Sequence, residues 1–77
     1  MEWQDRISIR PDVCHGKPCI KGRRVMVSVI LASLAEGDPP ETAMANYHLE
    51  SADIQAAIAF AADMAEDYFL PLEQEAV

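Results

Sequence analysis

Asp38-Pro39-Pro40-Glu41-Thr42-Ala43-Met44-Ala45-Asn46-Tyr47-His48-Leu49-Glu50-Ser51-Ala52-Asp53-Ile54 is the stretch that decides the fold. It holds two helix starts a short link apart. Asp38 is placed to cap, Pro39 suits a first helical position, and Glu41 stands where a capping box wants an acid. That helix runs to about Tyr47, with Ala43, Met44 and Tyr47 facing the core. Ser51 is the next N-cap, and Asp53 is favourable in the first turn of a long helix over roughly residues 52–69. Ile54, Ile58, Ala61, Ala65 and Phe69 recur at helical spacing along it, widened by Ala57, Met64 and Tyr68. Asp63, Glu66 and Asp67 form its polar side, with Phe60 beside them. Pro71 ends it. Two helices joined by so short a link have the outline of a helix-turn-helix.

Working back toward the N-terminus, Val29, Ile30, Leu31, Leu34 and Ala35 predict another helix over about 28–36. Ser28 is its N-cap candidate and Gly37 its C′ residue. Ile7-Ser8-Ile9 alternates as a short half-buried strand does. Lys21-Gly22 lies between two β-branched runs, so a small hairpin turns there, with Pro18 at a strand start or edge. The expected fold is mainly α: a short N-terminal β arm or hairpin over 1–27 and a three-helix bundle over 28–70. An acidic tail over 71–77 closes it. At 77 residues the chain is one domain, 1–77. Such a chain buries roughly 60% of its unfolded surface, which gives a thin core and little room for a deep catalytic cleft.

Charge is segregated along the chain. Arg6, Arg10, Lys17, Lys21, Arg23 and Arg24 are the six basic residues, and with three acids they give residues 1–24 a charge of +3. The remaining ten acids stand alone and give residues 25–77 a charge of −10. A split of this size predicts two functionally different faces. The chain has no apolar run of membrane-spanning length and no secretory leader pattern, and two cysteines are too few for a disulfide scaffold. A small cytoplasmic domain is the class that remains.

Lys17, Lys21, Arg23 and Arg24 form a basic cluster suited to phosphates or to carboxylates on a protein partner. Gly16 and Gly22 do not make a phosphate loop, because five residues separate them and no Lys-Ser/Thr pair follows. Cys14, His15, Cys19 and His48 lack metal-knuckle spacing, so no metal or other cofactor is expected. Cys14 beside His15 has no third orienting group, so catalysis is not expected either. In the long helix only Gln55 is suited to reading a base, and phosphates would repel its acids. Ile7, Ile9 and Phe60 are the expected self-association contacts.

The run from Cys14-His15-Gly16-Lys17-Pro18-Cys19-Ile20-Lys21-Gly22-Arg23-Arg24 to Val25-Met26-Val27 resembles the bacterial family called domain of unknown function 433. That family's pattern is Gly-Lys-Pro-Val-Ile, then Arg-Gly-Thr-Arg, then Ile-Pro-Val. The similarity continues through Leu34-Ala35-Glu36-Gly37, Asn46-Tyr47, Asp53 to Ala57, Phe60-Ala61-Ala62 and Leu70-Pro71-Leu72. Met26 stands where Pro is usual, Arg23 where Thr is usual and His15 where Gly is common. The resemblance implies a homeodomain-like three-helix fold with an N-terminal β element. It also implies an antitoxin-type role beside a PIN-like nuclease-type toxin protein, with no enzymatic activity. The expected function is a non-enzymatic antitoxin-like regulator, a homo-oligomer of a toxin-antitoxin system, with DNA bound, if at all, through the basic hairpin. The alternative is an oligomeric protein-interaction module that touches no nucleic acid.

Overall fold

Ile20 and Ile30 are almost completely shielded from water, and they mark where a small sheet meets the helices. The computed structural model describes residues 2–67. Tyr68, Phe69, the Pro71 stop and the acidic tail lie outside the described residues. The expected architecture is observed: a short antiparallel β element followed by three helices. No helix among the described residues is long and apolar enough to cross a membrane.

Strand β1 is Ile7–Ser8 and strand β2 is Cys19–Ile20. They pair antiparallel, Ile7 opposite Ile20 and Ser8 opposite Cys19. Cys19 also bridges Met26 on its other edge. The hairpin expected across Lys21-Gly22 is therefore present in minimal form. Ile20 N–H donates to the Val25 carbonyl at 2.8 Å, and the Ile20 carbonyl accepts from Arg23 and Arg24. Gly22 supplies a φ of +78° at the turn, which a residue without Cβ adopts at no steric cost. A strand expected to need a partner from a second chain thus finds one in its own, and Ile7 is buried in the core.

Helix α1 spans Val27–Ala35, α2 spans Pro40–Tyr47 and α3 spans Ser51–Asp67. All three helix starts differ from expectation by one residue, and Ser51, expected as an N-cap, is itself the first residue of α3. Met26 holds the N-cap position of α1, not Ser28, because the bridge to Cys19 fixes Met26 in extended backbone. Pro39 precedes α2, and Pro40 fills its first position. Asp38 is engaged elsewhere: it accepts a 2.9 Å hydrogen bond from the Ser33 hydroxyl and so ties the α1–α2 turn. After Tyr47 the chain reverses at His48, which takes the left-handed conformation (φ 58°, ψ 47°) that His tolerates better than most side chains. Leu49 then drops into the core.

The face that α3 turns inward is the main correction. Asp53, Ile54, Ala56 and Ala57 are buried, with Phe60 partly so. Ile58 is 46% exposed and Met64 43%. The buried stripe is rotated about one residue's step from the most apolar one. The cause is Trp3. The Trp3–Asp5 turn lies against α3, and the Trp3 ring meets Phe60 edge-on with centroids 5.0 Å apart. Trp3 Nε1 donates to Asp63 at 2.6 Å, which satisfies its single donor. Phe60, expected as a self-association contact, is therefore partly covered by the chain itself, and its remaining surface lines a cavity with Lys17, Pro18 and Leu31. Tyr47, expected to face inward, is 37% exposed, while Ala43, on the same helix, is fully buried.

Arg6 locks the arm onto the helices. Its guanidinium donates to Glu50 and to Asp53 at 2.9 Å each. Asp53 also accepts the Glu50 backbone N–H at 2.9 Å, the return half of a capping box. Asp53 is only 4% exposed, and loss of its carboxylate frees the Glu50 N–H and leaves Arg6 with Glu50 alone. Asp53→Ala should destabilise the fold by about 1–3 kcal/mol in urea denaturation, and Glu50→Ala, at an exposed position, by clearly less.

Candidate functional site: the basic turn and its cavities

The sequence places Lys21, Gly22, Arg23 and Arg24 between the last residue of β2 and Val25. Both flanks are fixed: Ile20 N–H bonds to Val25, and Lys21 N–H bonds to the Arg6 carbonyl at 2.8 Å. Three cations are thereby displayed on a short, held loop, and Lys17 stands exposed just before β2. The four predicted cations share the β end of the molecule. Among the described residues they make no ion pair. The other two basic side chains do: Arg6 with Glu50 and Asp53, and Arg10 with Asp12 at 3.2 Å. The hydrogen bonds to Asp53 and Glu50 raise the Arg6 pKa further above its ordinary value, so its charge is permanent. Asp12 is held below the usual aspartate range, chiefly by Arg10, and Arg24 adds a smaller pull from nearby.

Arg24 stands between two cavities. One, of about 220 Å³, is lined by Ser8, Arg10, Lys21 and Arg24 among others. The second, of about 420 Å³, has Val25, Met26 and Val29 in its wall. Cys14, His15, Arg24 and Tyr47 complete it. The sequence singled out Cys14 and His15 for metal or nucleophilic chemistry. Their observed place is in this cavity wall.

The backbone around the second cavity is strained. Cys14, His15 and Arg24 have φ of 51°, 57° and 58°, in the left-handed region that side chains with a Cβ rarely enter. Each such residue costs roughly 1–3 kcal/mol unless its surroundings hold it. Here the Lys17 N–H donates to the Cys14 carbonyl at 3.0 Å, and the Cys14 thiol donates to the Arg24 carbonyl at 3.5 Å. The two strained segments therefore brace each other. Sequence reasoning missed this: His15 is of a type that enters this region more readily than most, but nothing at Cys14 or Arg24 signals positive φ.

The thiols are unequal. Cys19 is 1% exposed, and its pKa is pushed up to about 11, first by burial and then by its hydrogen bond with Cys14. At neutral pH it stays protonated, which makes it a poor nucleophile. Cys14 is half-buried. His48 lies at the α2–α3 reversal and does not line the cavity that holds Cys14 and His15. Gln55 is exposed on α3, and Ile9 is 53% exposed just beyond β1.

Arg6, Trp3 and Asp53 are the positioning residues that sequence alone did not identify as such. Asp53 carried a partial signal, an acid in a first helical turn; Arg6 and Trp3 carried none.

Comparison with known proteins gives one match. Residues 7–61, from β1 to the middle of α3, match the family described as "Protein of unknown function (DUF433)". No curated protein and no solved structure matches the chain. The matched span contains the basic turn, both cavities and the α2–α3 reversal; Trp3, Arg6 and Asp63 fall outside it. Because that span is well over half of the sequence, the chain belongs to this family of proteins of unknown function.

Proposed function

We propose that the chain is a non-enzymatic, antitoxin-like binding module whose basic turn engages an acidic site on a protein partner, of the PIN-like nuclease kind. The observation that carries this reading is the charge pairing. Arg6 and Arg10 are matched by acids of their own chain, while Lys17, Lys21, Arg23 and Arg24 are exposed and make no ion pair among the described residues. A cation that stabilises nothing at home is available for a partner. PIN-type nuclease sites hold divalent metal with clustered carboxylates, and an inserted guanidinium would take the metal's place. Arg23, at the tip of the turn, and Arg24 beside it are the residues to enter such a site.

Binding of the product of the adjacent gene tests this. Arg23→Ala or Arg24→Ala should weaken the complex by roughly 2–5 kcal/mol, mostly through faster dissociation, because the truncation leaves buried carboxylates unpaired. An unchanged dissociation rate for both variants overturns the reading.

DNA contact, where it occurs, runs through the same turn. The exposed acids Glu66 and Asp67 on α3 argue against its entry into a major groove. Neutralising Lys17, Lys21, Arg23 and Arg24 together should abolish DNA retention in a gel-shift assay. Raising salt should weaken it steeply, and Glu66→Gln with Asp67→Asn should leave it intact or strengthen it. Loss of base preference in Gln55→Ala with the turn variant binding normally would overturn this route.

Self-association is retained on two supports, the segregation of charge and the exposed Ile9 and Ile58. Light scattering at micromolar concentration should find a species larger than the 8.5 kDa chain.

A further inference from the structure

We propose that the 420 Å³ cavity beside Arg24 is a socket for an apolar side chain of the partner, preferably aromatic, whose neighbouring carboxylate Arg24 holds at the rim. The inference rests on the reading of the basic turn as a partner-binding surface, and it adds what that partner must present.

Three observations support it. The volume lies within the range of pockets that enclose small ligands, about 300–1,000 Å³. The wall formed by Val25, Met26 and Val29 offers no hydrogen-bonding side chain, so an occupant must be apolar where it touches that wall. Arg24 also lines the adjoining 220 Å³ cavity with Lys21 and with Arg10, the last paired to Asp12, so two cations without an ion pair among the described residues stand beside or near the apolar hollow. Charge and apolar surface thus meet at one residue. An acidic residue next to an aromatic one has the complementary arrangement, with the planar carboxylate matched by the guanidinium fork.

The strain points the same way. Cys14, His15 and Arg24 are left-handed without being glycine, and all three line this cavity. Strained backbone persists where the surroundings over-determine it, and it gathers at ligand clamps. A nucleic acid fits less well. A flipped base needs hydrogen-bonding groups around its edge, and here these are confined to the Cys14, His15, Arg24 and Tyr47 side, with no polar side-chain group on Val25, Met26 or Val29. Asp12 beside Arg10 and near Arg24 also opposes the dense charge of a phosphate more than that of a carboxylate.

The test uses the full chain, isotopically labelled, with backbone amide shifts recorded by NMR. The probes are 3-phenylpropionate, its neutral amide, and a 5′-phosphorylated dithymidine. The carboxylate should give saturable shifts at Cys14, His15, Val25 and Val29. The amide should bind at least about tenfold more weakly. Arg24→Asn, which keeps a residue tolerant of positive φ, should reduce the carboxylate to the amide's level. Equal binding of acid and amide overturns the proposal. So do the absence of saturable shifts, shifts centred elsewhere, or the dinucleotide producing the same pattern at lower concentration.

A second arm separates this inference from the reading beneath it. Val29→Phe fills the hollow and leaves every cation in place; Tyr47→Ala opens its wall. Each variant is first checked for an unchanged thermal transition, and the one that passes is used. Val29→Phe or Tyr47→Ala should speed dissociation from the adjacent gene's product at least about tenfold. If Arg23→Ala loses binding while the cavity variant binds normally, the socket is wrong and the basic-turn reading stands. If 3-phenylpropionate occupies the hollow while Arg23→Ala and Arg24→Ala bind the partner normally, the basic-turn reading fails and the socket remains as a carboxylate site.

Discussion

The contact between Arg6 and Asp53 is the constraint on which the other features depend. Its two ends do different work. The Arg6 side chain reaches the start of α3, and its carbonyl accepts the Lys21 N–H at the base of the basic turn. Asp53 divides its two oxygens between that guanidinium and the Glu50 amide. One residue pair therefore fixes the arm, the turn and the helix reversal relative to one another. A two-stranded element this short is marginal by itself, so it needs such an anchor. Burial of Asp53 makes the anchor one-sided: the pair adds little net energy while intact, but removal of one partner leaves an unsatisfied buried group.

Trp3 has the matching role at the other end of the arm. By covering Phe60 and bonding to Asp63, it draws the polar edge of α3 toward the core. Ile58 then turns outward. The most apolar stripe of α3 is not the buried one, because burial is decided by what the neighbouring elements bring to the helix. The Trp3–Phe60 aromatic contact is made on the face that buries Ala56 and Ala57, and Ile58 and Met64 are left half-exposed on the other.

The same arrangement sorts the cations. Arg6 and Arg10 are used within the chain, while the turn residues are left unpaired among the described residues. The split of charge along the sequence thus becomes a split of role within the basic segment. Arg24 occupies the boundary, with a cationic hollow on one side and an apolar one on the other. Its left-handed backbone is braced by the Cys14 thiol, so the site's shape is built into the fold before any partner arrives.

The sequence by itself determined the elements. Helical spacing, proline and glycine placement, and alternation at Ile7–Ser8 act locally, through backbone sterics and hydrogen bonds, and they located the three helices, the Gly37 stop and the Gly22 turn to within a residue or two. It also determined the basic cluster, because charge segregation is visible in one dimension. Family membership was legible in the run from Cys14 to Val27. Tertiary structure decided which face of α3 is buried, that Phe60 is partly covered and Tyr47 exposed, and that β1 is satisfied within one chain. It alone made Arg6 a clamp and brought Cys14 and His15 beside Arg24 and Tyr47. These are contacts across 10 to 60 positions of sequence, and no local propensity encodes a partner that far away.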